Sequence, residues 1–155
     1  MTGDSRQEIE AVHDRYVATR GRIEAGELGW DALADFFTDD ATFIDPAWGR
    51  VQGRDRIRKF FVDSMSGLEG WSFPHQWRAI DGNRVVAAWK NRLPGRRPDG
   101  SHYEAQGVSI LLYAGGGKFS YEEDLLNMVH VFELIEECGW TPGPAVNMPP
   151  QRPPR

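Results

Sequence analysis

The chain reads as an α+β domain in which a curved antiparallel sheet wraps around N-terminal helices. Three observations predict it. Apolar residues recur at helical spacing as far as about Met65 and switch to strict alternation from Trp71 onward. The alternating runs are divided by hairpin signals, Asp81-Gly82-Asn83 and Gly115-Gly116-Gly117. At 155 residues the chain fits one domain able to bury about two-thirds of its unfolded surface. We expect that domain over residues 1–140, followed by a proline-dense tail, 141–155, lying extended or disordered over the surface.

Ser5 followed by Glu8 has capping-box spacing and opens a helix that should run to about Glu24. Ile9, Val12, Tyr16 and Ile23 fall on one stripe of it, with His13 and Arg20 near the stripe's centre. Tyr16 therefore points inward, and Arg20 either snorkels past the core or pairs with an acid. Trp30, Leu33, Ala34 and Phe37 predict a second short helix. Next come a polar turn from Thr38, a short strand carrying Asp45 before Pro46, a glycine-punctuated loop, and a helix from near Arg54 that buries Ile57, Phe60 and Phe61. Asp45 shares a face with Phe43 by alternation. Either it is buried, with the raised pKa that acid/base chemistry uses, or it caps a turn as Asp before Pro commonly does.

In the alternating half, Trp71, Phe73, His75, Trp77 and Ala79 share one aromatic face, and Pro74 calls for an edge strand or a bulge. His75 on that face is a core or pocket histidine, and in a cavity it could shuttle protons. A second strand, Arg84 to Leu93, sets Val85, Ala87, Trp89 and Asn91 on one side, and Pro94 to Gly100 forms a loop. A third strand runs from Tyr103 to Ala114 and a fourth from Lys118 to Leu126. On the fourth, Glu122, Asp124 and Leu126 share a face, which is either a solvated strand end or part of a polar pocket. Asn127 caps a last helix striped by Met128, Val131, Phe132 and Ile135, and Gly139 ends it.

Composition excludes several classes. A net charge of -5 with scattered basic residues argues against nucleic acid. No apolar run approaches membrane-spanning length and no signal peptide is visible, so we expect a cytoplasmic protein. Cys138 is the only cysteine and makes no internal disulfide. The four histidines lack metal-ligand spacing, and no dinucleotide or nucleophile-elbow motif is present, so no cofactor is expected. Gly115-Gly116-Gly117-Lys118 is not a phosphate loop, because Phe119 stands where Ser or Thr should be.

The element order, together with Phe37 to Pro46 (Phe-Thr-Asp-Asp-Ala-Thr-Phe-Ile-Asp-Pro), resembles the nuclear transport factor 2-like superfamily, and within it the SnoaL-like polyketide cyclases and ketosteroid isomerases. The resemblance covers about Ile9 to Leu126 and implies a cone-shaped fold with a deep apolar cavity. It implies that Asp45 is a general base moving a proton α to a carbonyl, and that Tyr16, in Arg15-Tyr16-Val17, donates to the oxyanion. Aligning the glycine turn puts Ser109 where those isomerases carry a protonated aspartic acid, and an alcohol is the poorer donor. Asp124 looks like the base of the SnoaL-like cyclases. On this reading Phe43, Trp77 and Trp89 are pocket walls suited to a flat apolar or aromatic ligand, with His75, Ser109 and Glu122 also facing it. The implied activity is cofactor-independent proton transfer on an apolar carbonyl compound by a homodimer. The alternative is a ligand-binding or dimerising module without chemistry.

Overall fold

The computed structural model describes residues 5–155. Helix α1 (Arg6–Glu24) begins where the Ser5 hydroxyl accepts the Glu8 N–H, 3.0 Å, and it buries Ile9, Val12, His13, Tyr16 and Ile23. Trp30–Phe36 forms a single 3-10 helix. Phe37 is fully buried but leaves that helix to open strand β1 (Phe37–Asp45). The stretch expected to be a loop after Pro46 contains a further strand, β2 (Gly49–Gln52), which pairs with β1 as a hairpin with Asp45 opposite Gly49. Gly49 sits at φ 82°, the left-handed position that closes a three-residue hairpin loop. Helix α2 (Arg54–Met65) follows and buries Ile57, Phe60 and Phe61.

The remaining strands are β3 (His75–Asp81), β4 (Arg84–Arg96), β5 (His102–Gly115) and β6 (Lys118–Leu126), and the chain's last helix is α3 (Met128–Cys138). The sheet is curved, unclosed and ordered β2-β1-β6-β5-β4-β3. All neighbours are antiparallel except β1 and β6, which run parallel. This long-range pairing brings the two halves of the chain together, because it lays Phe43 beside Glu122 and Ile44 beside Glu123.

Two features of β3 and β4 depart from simple alternation. His75 pairs with Trp89 but Trp77 pairs with Ala88, so β3 carries one extra residue at this point. That bulge, on an edge strand next to Pro74, turns Trp77 outward, where it is 54 % exposed. Trp77 is therefore not a cavity wall. Strand β4 runs on through Pro94 to Arg96 instead of ending at Leu93, with a register shift between Arg92 and Arg96 absorbing Pro94 and Gly95.

One core lies between α1, α2, β1 and the middle of the sheet, centred on Phe37, Phe43, Ile57, Leu111 and Phe119. A second, built on Trp71, Leu93, Ala105, Val131 and Leu134, seats α3 on the far end of β4 and β5. The buried stripe of α3 is Val131 and Leu134, while Phe132 is largely exposed. Asn127 accepts the Val129 and His130 N–H groups, and Gly139 ends the helix at φ 73°. Among the described residues no helix is long and apolar enough to cross a membrane.

Trp89 on β4 lies flat against Gly107 on β5, its register partner. A Cβ at Gly107 would come within 2.5 Å of the indole ring, so Gly107→Ala should displace the indole. We expect a loss of about 1–3 kcal/mol in urea unfolding; an unchanged midpoint would show that the indole moves freely.

Candidate active site

Between the sheet, α2, α3 and the tail lies a cavity of about 280 Å3 with mainly apolar walls. Tyr16, Asp45, Glu122 and Asp124 all border it, as do Phe43, Trp89 and Arg20. Alternation along β6 places Glu122 and Asp124 on the inward side, so the polar-pocket alternative describes this strand. The parallel register of β1 and β6 carries Asp45 to the level of Asp124.

Hydrogen-bond directions around these acids follow from donor chemistry. The Trp89 indole N–H can only donate, and it donates to Ser109 Oγ at 2.9 Å. Ser109 therefore turns its own proton to Asp124 Oδ1, 2.6 Å away, across the β5–β6 pairing that sets the two residues opposite each other. Tyr16 donates its hydroxyl to Glu122 Oε2 at 2.8 Å. Glu122 and Asp124 lie buried side by side on the cavity, and two carboxyl groups so placed are favoured when they hold one proton between them.

Burial, and then the charge of Glu122, push the Asp124 carboxyl well above the usual carboxylate range. Burial also raises Glu122, but donation from Tyr16 and the attraction of Arg20 favour its ionised form. Asp124 is thus the holder of the shared proton. Burial raises Asp45 as well, against two stabilising donors, the Ala47 and Trp48 N–H groups, both bonded to Oδ1 at 2.8 Å. Both readings of Asp45 therefore apply: it closes the hairpin loop and it borders the cavity, with Oδ2 outside those two bonds.

The expected residues take different places around this cavity, and Ser109 and His75 do not line it. Tyr16 borders the cavity and gives its hydroxyl proton to Glu122, which fixes that carboxyl in place. Burial and the neighbouring acids raise its pKa well above the ordinary value. Ser109 is buried behind Asp124 and acts through it. His75 lies outside the cavity lining, half-buried with its ring edge-on to His13, 5.4 Å between centroids. His13 is pushed down to about 3 by burial and by the charges of His75 and Arg78, and its Nδ1 accepts from Arg78 at 3.2 Å. Burial, and then the charges of Arg20 and Arg78, lower His75 too. Among the described residues no group of three or more His, Cys, Asp or Glu is placed to hold a metal ion.

Sequence reasoning missed the tail as a structural part of the site. Ala145 O accepts from Ser66 Oγ at 2.7 Å, Asp63 O accepts from Asn147 Nδ2 at 2.8 Å, and Pro154 O accepts the Arg50 N–H at 2.8 Å. The tail is thereby strapped along α2 and β2, and Val146 to Pro149 form one side of the cavity. Two close approaches fit it there. A Cβ at Gly49 would stand 2.1 Å from Pro154 O, and one at Gly67 would stand 2.6 Å from Val146. Nothing in a proline-dense composition marks those contacts.

A curved, unclosed mixed sheet packed on helices is the fold of the nuclear transport factor 2-like class of α+β cones. The model of the SnoaL-like domain matches residues 13–121, and the chain belongs to that family. A search of curated proteins finds no match to the chain. Among solved structures, a protein from Shewanella putrefaciens described as a SnoaL-like polyketide cyclase is 15 % identical, with a TM-score of 0.66 over 88 % of this chain and 90 % of that one. TerC, co-crystallised with polyporic acid, is 23 % identical with a TM-score of 0.58, over 83 % and 98 % of the two chains. SalBIII, an epoxide hydrolase/cyclase-like enzyme of pyran ring formation in salinomycin, is 18 % identical with a TM-score of 0.62, over 81 % and 95 %. At these identities the likeness is one of fold.

Two measurements test this geometry. A carboxyl whose folded pKa is raised contributes stability that is fully present below its unfolded pKa, about 4, and is lost as pH rises through the folded value. The amide of Asp124→Asn imitates the protonated acid, so the variant should match the wild type in denaturant near pH 4 and exceed it at pH 8 by about 1 kcal/mol or more. A variant less stable at both pH values would contradict the shared proton. Removing residues 144–155 deletes three hydrogen bonds and one cavity side, and should cost about 1–3 kcal/mol in urea unfolding. An unchanged midpoint would show the strap to be loose.

Proposed function

We propose that the protein catalyses cofactor-independent proton transfer, of isomerase or cyclase type, on a flat apolar carbonyl compound. The observation that carries this reading is that two unlike acids border one cavity: Asp45, whose Oδ1 accepts two backbone N–H groups that oppose the upward push of burial, and Asp124, which lies beside Glu122 and is pushed up further. Environments that push neighbouring carboxyls apart in pKa assign an acid and a base. Asp45 takes the proton α to the substrate carbonyl, and Asp124 gives its proton to the developing oxyanion. Glu122, anchored by Tyr16, keeps that proton on Asp124, and Ser109 aims the group. The apolar walls, among them Phe43 and Trp89, exclude water and receive the ring system. The fold relatives named above include cyclase-type enzymes, and TerC was crystallised with a small ligand, which agrees with the reading. We place the protein in the cytoplasm as a homodimer that buries the outer sheet face, where Trp77 is exposed.

The test is exchange of α-hydrogens for deuterium in a panel of aromatic ketones such as 2-tetralone, followed by NMR. Wild-type protein should accelerate exchange, and Asp45→Asn and Asp124→Asn should each lose about 100-fold or more while still binding the ketone. Normal exchange by both variants would rule the mechanism out. Ketone binding with no exchange by the wild type would leave a ligand-binding module.

A further inference from the structure

Arg20 is the one lysine or arginine among the described residues that line the cavity. It projects from α1 one turn beyond Tyr16 and its side chain is only 13 % exposed. A guanidinium carries five N–H donors. Its single ion pair, with Glu24 Oε1, is stretched to 4.0 Å, beyond hydrogen-bonding distance. Glu24 is itself occupied, its Oε1 accepting the Phe73 N–H at 2.9 Å. The nearby Arg78 is differently placed, since it is paired with Asp14 at 2.5 Å. Arg20 therefore offers the cavity donors that its ion pair with Glu24 leaves unused.

We propose that Arg20 is the anchor for a carboxylate on the ligand, and that the protein takes a planar aromatic acid, with the carboxylate seated on the guanidinium and the rings between the apolar walls. The inference rests on the cavity being a ligand site, as the proposed function requires, and adds the chemical class of the ligand. A guanidinium fork matches a carboxylate in bidentate fashion, and its strength grows where water is scarce. Arg20 also attracts Glu122. If that were its whole role, it would be a counter-ion and would not discriminate among ligands.

Isothermal titration with 2-naphthoate and its neutral methyl ester at pH 8 separates the two roles. Wild-type protein should bind the acid about tenfold or more tightly than the ester. Arg20→Gln should erase that preference while keeping ester affinity, Arg20→Lys should retain part of it, and Glu24→Gln, which frees the guanidinium, should strengthen acid binding. Equal affinity for acid and ester in the wild type, uptake of neither probe, or an unchanged preference in Arg20→Gln would each overturn the proposal. Should Arg20→Gln fail to fold, the lysine and Glu24 variants decide it by the same comparison. Ester binding without acid binding would sink the carboxylate subsite alone, leaving ketone exchange as the separate test of the proton-transfer reading.

Discussion

The site is organised around Glu122 and Asp124, two carboxyl groups that neighbour each other on the inward side of β6, reach little bulk water and are favoured with one proton between them. Two bare carboxylates there would repel strongly in a medium of low effective dielectric, and each would also lose its hydration. Protonating one removes both penalties and leaves a hydrogen bond. The surrounding chain fixes which one. Tyr16 donates to Glu122, while Asp124 lies toward a third acid, Asp45, contributed by a strand distant in sequence.

Around that proton the packing makes a directional chain. Gly107 has no side chain, so the Trp89 indole lies over it, and the indole N–H fixes the Ser109 hydroxyl, which in turn fixes Asp124. Buried polar groups arranged this way are each satisfied, which is why a sheet interior tolerates them. The apolar walls and the strapped tail reduce the water available to compete. An apolar hollow bordered by a coupled acid pair, an acid on a hairpin and a guanidinium with one long ion pair is suited to moving protons on a compound that binds through its rings.

Much of this was legible in the sequence where the signal is local. Capping at Ser5 and Asn127, the glycine stop at Gly139 and the alternation of β6 depend on neighbours within a few residues, and each appears where the pattern places it. The resemblance also put Asp45, Tyr16 and Asp124 on one cavity. What was not legible is non-local. The bulge that turns Trp77 outward is a mismatch of one residue between two strands, and no periodicity within β3 reports it. Strand β2 is four residues long and is defined by its pairing with β1. The strap along α2 is held by backbone carbonyls, which every sequence supplies, so Ala145 and Pro154 carry no mark of their role. His75 shares a sequence face with Phe73, yet it meets His13 outside the cavity.

The most direct test of the shared proton is a 13C NMR titration of the side-chain carboxyl carbons. Asp124 should titrate well above the ordinary carboxylate range, with its transition mirrored in the Glu122 resonance because the two share one site. Ordinary, independent carboxylate titrations for both residues would contradict the account.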